Sequence, residues 1–395
     1  MRFAAISDRL LGLGGEKWEI HHLARALQAK GQEVIELTIG EPDVATPVEL
    51  LVAAKAGIDA GRLGYSNGRG EPLLLDALAK KYSARSGRAI GVDQIIALPG
   101  TQTALFAVLM TLLGPEDEVI VGDPMYATYL GVIAATGAVA VPVALRPEAG
   151  FRLQACDVAA KITQRTKVLF LNTPHNPTGA VLRPADIDAL GQLARAHDLW
   201  IVSDEVYEEL VFPGAQFHSP FDRANLADRV VVSSSISKSH AAPGFRSGWT
   251  VGPAEFTERM LPLAEAMLFG NQPFIADMTA LAVSAPSSVA QGMATRYARR
   301  AALVRKFLDG VQGMRVPLPE AGMFATVDVR ALGLSGEGFA RSLLREKAVA
   351  VMPGESFGAG LAGWLRLSLT QDDARITAAC ARIVDFAKSQ KGAAA

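Results

Sequence analysis

The residues best suited to chemistry lie between Ser233 and Trp249, in the run SSSISKSHAAPGFRSGW. Lys238 sits there among serines, and Arg246 follows between two glycines, Gly244 and Gly248. A lysine is either a solvated surface charge or an amine nucleophile. Its neighbours favour the amine. The preceding run, Arg229–Ser233, is RVVVS, a short β-branched strand ending in hydroxyls. An amine at a strand end, with small hydroxyl donors and a second cation, is what an anionic cofactor bound through an imine requires.

Other polar clusters share that placement at the ends of apolar runs. Gly100-Thr101-Gln102 follows IIALP and opens a helix, so its free backbone N–H groups form a candidate phosphate cradle. Tyr126 follows Asp123-Pro124-Met125 and could stack on a flat ring. His175-Asn176-Pro177-Thr178-Gly179 is a polar turn after KVLFLNTP, with Asn176 as a hydrogen-bond donor. Asp204 ends LWIVSD, where a buried carboxylate must meet a cation, and a protonated pyridine nitrogen would serve. Tyr207 is expected about one helical turn from Asp204. Arg366 lies in WLRLS, and a planar fork among apolar neighbours needs an anionic partner such as a carboxylate.

The elements that must carry these residues follow from periodicity. Apolar runs at 95–100, 118–124, 138–145, 167–174, 199–205 and 228–235 read as strands. The segments at about 102–113, 126–136, 155–163 and 184–197 read as the helices between them. Near-continuous apolar strands alternating with helices predict an α/β fold whose parallel sheet is covered on both faces. In such sheets ligands bind at the carboxyl ends of the strands, and all the clusters above except Arg366 fall on that rim. Helical spacing is expected at 16–30, 47–61 and 72–86, and again from about residue 253 through 312. The last third reads as α+β. The predicted organisation is a large domain over 46–285 and a small domain made of 1–45 with 286–395.

Composition narrows the function classes. In 395 residues, 39 Lys and Arg balance 40 Asp and Glu, leaving a net charge of −1, so there is no electrostatic footprint for nucleic acid or an anionic membrane. The two cysteines, Cys156 and Cys380, have no metal-like spacing with histidine; inert buried thiols, no metal site and a reducing cytoplasm are expected. The N-terminal residues lack a secretory h-region, and no run is long and apolar enough for a membrane span. Gly12-Leu-Gly-Gly15 is a poor dinucleotide fingerprint that follows no strand.

The ordered set IGEPDVATP, GYSNGRGEP, GTQTALF, DPMY, NTPHNPTG, SDEVY, SISKSHAAPGFRSGW and LRLSLT resembles the class I/II aminotransferases, pyridoxal-phosphate enzymes of fold type I and aspartate-aminotransferase type, over nearly the whole chain. The resemblance implies a large domain with a mostly parallel seven-stranded sheet and a smaller α+β domain. It implies pyridoxal 5'-phosphate bound to Lys238 as an imine, with Lys238 then acting as general acid and base. Asp204 would keep the ring nitrogen protonated. Tyr207 and Asn176 would hydrogen-bond the phenolic oxygen, and Tyr126 would stack on the ring. Thr101, Gln102, Ser235 and Arg246 would hold the phosphate. Tyr65 would reach the cofactor of a partner subunit in a homodimer. Arg366, with the Gly40 backbone close by, would clamp the substrate α-carboxylate. The implied substrates are an L-amino acid and a 2-oxo acid, pyruvate or 2-oxoglutarate.

Trp18, in the segment from Gly15 to His21, would border the side-chain pocket, where Trp and Glu suit a long or basic donor. The HNPTG and SKSHA spellings and the Trp-x-Ile-His segment are similar to those of arginine–pyruvate transaminases. Two alternatives remain open: a C–S β-lyase of the same fold, and a ligand-binding regulator reusing it.

Overall fold

The computed structural model describes residues 2–391. Eleven strands form two sheets. In chain order they are β1 (Ile35–Leu37), β2 (Ile95–Leu98), β3 (Glu118–Asp123), β4 (Val139–Ala144), β5 (Thr166–Asn172), β6 (Trp200–Asp204), β7 (Val230–Ser235), β8 (Gly248–Val251), β9 (Phe324–Asp328), β10 (Val349–Pro353) and β11 (Trp364–Ser368).

The large sheet has seven strands in the order β2-β8-β7-β6-β5-β3-β4. All neighbours are parallel except β8, which runs antiparallel to both β2 and β7. This is the mostly parallel α/β sheet expected from the apolar runs. Its central strands are mostly buried, and in β7 all six residues are. Helices on both faces remove these strands from water, so the sequence cannot alternate polar with apolar. The four-stranded sheet β1-β10-β11-β9 is mixed, with β1 and β10 parallel and the rest antiparallel. Its core joins Ile20, Leu37, Val327, Val351 and Leu367 to residues of the helices Ser288–Leu308 and Asp373–Lys391.

The helices depart from expectation in four places, one of them the segment expected as a helix at 155–163, where the helix ends at Ala159. The tract from 253 to 312 is three helices, Ala254–Met267, Pro273–Val283 and Ser288–Leu308. Gly270 turns the chain between the first two with φ +74°, and a side chain there would strike the Asn67 carbonyl. Pro286 precedes the third. Residues 15–18 form a 3-10 turn before the helix Glu19–Ala29. The helix expected from 126 starts at Tyr129. Cys380 is buried, and burial pushes its thiol up to about 12, whereas Cys156 is exposed, contrary to the expected buried thiol. Among the described residues, no helix is long and apolar enough to cross a membrane.

Candidate active site

The rim of the large sheet builds one cavity of about 260 Å³. Of the residues singled out in the sequence, Trp18, Gly40, Thr101, Gln102, Tyr126, Asn176, Asp204, Tyr207, Ser235, Lys238, Arg246 and Arg366 all line it. Tyr65 does not; it is 93% exposed and packs edge-on against Phe269.

Lys238 enters from the one-turn helix Ile236–Ser239 that follows β7 directly. Ser235 caps that turn by accepting a hydrogen bond from the Ser237 N–H, which aims the next residue inward. The Lys238 amine donates to the Gly40 carbonyl at 2.6 Å. Gly40, whose backbone is expected close to the substrate carboxylate, lines the same cavity as Arg366. Burial, followed by the positive charges of Arg366 and Arg246, brings the Lys238 pKa down to about 8.

Asp204 ends β6 and is buried. Its carboxylate accepts the Tyr129 hydroxyl at 2.6 Å and the Val206 N–H at 3.2 Å. Burial outweighs these bonds and raises its pKa to about 6. Among the described residues no cation lies at bonding distance of this carboxylate, and a protonated ring nitrogen would suit it. Tyr207 is reached through a turn rather than a helix. Its phenol is buried, and burial raises its pKa. Tyr126 stands edge-on to Tyr129, with ring centres 5.6 Å apart at 81°.

An anion cradle lies at the start of the helix Thr101–Leu112. Its first N–H groups have no partner within the helix, and the helix dipole adds to their pull. Arg246, held in the left-handed region at φ +50°, bends its guanidinium onto the Pro243 and Pro99 carbonyls. A Cβ on Gly100 would collide with that guanidinium, and a Cβ on Gly248 would lie 2.7 Å from the Gly100 carbonyl carbon and the Ser234 oxygen. Gly248 is needed because its backbone closely approaches those of Gly100 and Ser234, and Gly100 because its φ of +86° is left-handed. The Thr101 hydroxyl is buried with no hydrogen-bond partner among the described residues. Such an orphaned donor beside Ser235, Ser237 and Arg246 fits a phosphate. Gln102 instead accepts from the Thr128 hydroxyl at 3.0 Å, which leaves its backbone as its contribution.

At the other end of the cavity, Arg366 is 1% exposed. Its guanidinium lies between the rings of Phe324 and Phe357, 3.8 and 4.3 Å from their centres. One terminal nitrogen donates to Asn176 Oδ1 at 3.1 Å and the other to the Thr38 carbonyl at 2.6 Å, while Nε has no partner. Burial brings its pKa down to about 10, so it stays charged at neutral pH. Among the described residues no carboxylate lies beside this buried cation, and an anionic ligand would offset the cost of burying it unpaired. Asn176 gives its oxygen to Arg366, and its side chain also bonds the Tyr207 phenol, which works against the rise that burial causes there.

Sequence reasoning missed Tyr129, Phe324, Phe357, Thr38 and Ser237. Tyr129 carried a signal, being an aromatic three residues beyond Tyr126. Phe324 and Thr38 reach Arg366 through the assembly of the four-stranded sheet, Phe324 from β9 and Thr38 from the end of β1, and Phe357 reaches it from the turn after β10. Around Trp18, Glu19 turns away and pairs with Arg341 at the surface, 2.7 Å apart, and the Glu16 side chain lies outside the described residues.

With this geometry in hand, comparison with known proteins is consistent across methods. Residues 32–383 match the family model described as aminotransferase class I and II. The chain is 44% identical over 383 residues to arginine–pyruvate transaminase of Pseudomonas aeruginosa, covering 97% of each chain. It is 35% identical to aspartate/prephenate aminotransferase of Cereibacter sphaeroides, over 92% of this chain and 93% of that one. Among solved structures, aspartate aminotransferase of Thermus thermophilus with maleate superposes with a TM-score of 0.90 at 30% identity, covering 98% of this chain and all of the other.

Proposed function

Because the chain belongs to the class I and II aminotransferases and so moves an amino group between amino acids and 2-oxo acids, we propose that it works with pyridoxal 5'-phosphate held at Lys238, taking arginine or another long donor and passing the amino group to pyruvate. The observation that carries this reading is the pairing of two orphaned donors, Thr101 Oγ1 and Arg366 Nε, in one cavity with the buried Lys238 amine.

When bound, the cofactor supplies an electron sink for the negative charge that develops at the donor's α-carbon. The side chains do the rest. Thr101, Ser235, Ser237, Arg246 and the N-terminus of the helix Thr101–Leu112 hold the phosphate. Asp204, oriented by Tyr129, keeps a proton on the ring nitrogen. Tyr126 covers the ring, and Asn176 with Tyr207 hydrogen-bonds its phenolic oxygen. Arg366 binds the α-carboxylate of donor and acceptor alike, which fixes the α-hydrogen relative to Lys238. The Lys238 amine would take that proton as general base and, as the resulting ammonium, give it up to the cofactor side within the same half-reaction, the second half-reaction running the transfer in reverse. A base with a pKa near 8 suits the task, because a fully solvated ammonium could not accept a proton at neutral pH.

The donor assignment draws on the 44% identity to an arginine–pyruvate transaminase and on Trp18 at the cavity wall. Among the described residues the cations lining the cavity are Lys238, Arg246 and Arg366, each with a task already, so none of them is left for a donor's distal carboxylate. We read 46–285 as the cofactor-bearing unit and 1–45 with 286–395 as the smaller one. A homodimer is part of the proposal, with exposed Tyr65 reaching the partner's phosphate. So is a cytoplasmic location, in keeping with two cysteines that are both free.

The test is a screen of twenty amino donors with pyruvate and with 2-oxoglutarate, on protein purified with its visible absorbance band. Arginine with pyruvate is expected to be fastest, and Lys238→Ala is expected to abolish both the lysine-imine band and turnover. A preference for aspartate would overturn the donor; full activity of Lys238→Ala would overturn the site.

A further inference from the structure

Behind the cavity, three charged side chains that line no part of it connect two of its walls. β6 leads into a turn whose first residues, Asp204 and Tyr207, face the cavity and whose next two, Glu208 and Glu209, face away. Lys81, on the helix Pro72–Ser86, donates to Glu208 at 2.8 Å and to Glu209 at 3.1 Å. The other oxygen of Glu209 accepts the backbone N–H of Ser287 at 2.9 Å. The Ser287 hydroxyl donates to the carbonyl of Ser239 at 2.7 Å and caps the helix Ser288–Leu308 by accepting the Ala290 N–H at 3.1 Å. Ser239 is the residue after Lys238. One unbroken chain of bonds thus runs from the strand end bearing Tyr207, through Glu209 and Ser287, to the turn bearing Lys238.

We propose that Glu209, clamped by Lys81, is a positioning residue for the transamination reaction: through Ser287 it sets the distance of the Lys238 turn from the Asp204–Tyr207 turn. This rests on the function proposed above. Lys81, Glu208 and Glu209 line a separate cavity of about 900 Å³, bordered by Phe217 and Leu281, so none of them touches reacting atoms. Replacing a partly buried ion pair by apolar side chains is commonly neutral or favourable for stability, so stability alone does not account for such a cluster. Its geometry supplies a function. Lys81 is one cation shared by two carboxylates that are consecutive in sequence. That sharing stops the turn from rotating about the Glu208–Glu209 peptide. Arg85 adds a second grip on Glu208 at 2.6 Å. Reacting groups must be held within fractions of an ångström, and small displacements from remote changes cost rate.

The test compares Glu209→Gln, Lys81→Met and Lys81→Arg with wild type. With saturating donor and no 2-oxo acid, the first half-reaction is expected to slow by about 10- to 100-fold in Glu209→Gln and Lys81→Met. Donor affinity is expected to change less than about twofold, because Arg366 is untouched, and Lys81→Arg is expected to restore most of the rate. A second readout needs no turnover. In the cofactor-free chain, the pH midpoint for acylation of Lys238 is expected to move in Glu209→Gln and Lys81→Met and to return in Lys81→Arg. If the folded variants keep both the wild-type rate and the wild-type midpoint, losing only thermal stability, the positioning role is refuted. If wild type itself fails to transaminate, the functional reading falls, and the acylation midpoints still decide whether the clamp sets Lys238.

Discussion

Tyr129 donates its hydroxyl hydrogen to Asp204 at 2.6 Å, between residues 75 positions apart in the chain and both buried. The bond stabilises the ionised carboxylate against the burial that raises its pKa to about 6. Asp204 is thereby kept anionic at neutral pH, as a partner for a cation must be. Tyr129→Phe removes one bond to a charged acceptor, worth about 1.5–3 kcal/mol, and so raises the Asp204 pKa by about one to two units. The acid limb of cofactor binding against pH is expected to move upward by that amount, and an unmoved limb would show that Tyr129 only packs.

Lys238 should behave unlike every exposed lysine. Burial and two arginines disfavour its ammonium, so the cofactor-free chain is expected to show half-maximal acylation of Lys238 near pH 8 rather than near 10.5, read peptide by peptide by mass spectrometry. The linked effect on stability has a definite sign. The folded state releases the proton more readily than the unfolded state, so the Lys238 contribution is fully present above about pH 10.5 and is lost as pH falls through 8. A midpoint at the solvated-lysine value would contradict a buried amine.

Arg366 is gripped by Asn176, Thr38 and two aromatic faces, and its Nε has no partner among the described residues; in the proposed function it takes the substrate carboxylate. Arg366→Lys keeps the charge and loses the fork. KM for the amino donor and for the 2-oxo acid are both expected to rise by about 10- to 100-fold, with kcat far less affected. Steady-state kinetics with each substrate varied in turn checks this, and a rise for one substrate alone would mean that the two carboxylates bind in different places.

Trp249 donates its indole N–H to the Tyr82 hydroxyl at 2.9 Å inside the core under the large sheet. Tyr82→Phe leaves that N–H buried without an acceptor. A loss of about 1–3 kcal/mol in urea unfolding is expected, with the donor KM unchanged because neither residue lines the cavity.

Much of this architecture is determined by the chain read as a string. A strand buried on both faces cannot alternate, so runs such as Val230–Val232 announce a covered parallel sheet before any coordinates are consulted. Polar residues at the ends of such runs must share a rim, so Thr101, Asn176, Asp204 and Lys238 could be grouped from position alone. Glycines at 100 and 248 mark tight backbone, although the left-handed φ of Gly100 and the approach of Gly248 to the Gly100 and Ser234 backbones are visible only in three dimensions. What tertiary structure alone decided is which atoms are left without partners. Arg366 could be read as needing an anion. That it spends two nitrogens on Asn176 and Thr38 and keeps Nε free follows from the meeting of residues as far apart as 38 and 366. The Tyr129 bond to Asp204, the Gly40 carbonyl on the Lys238 amine, and the clamp from Lys81 through Glu209 to Ser287 have the same origin. Local propensity is set by near neighbours in sequence. Satisfaction of a buried polar group is set by whatever the fold brings within about 3 Å, and no spacing rule in the sequence encodes that.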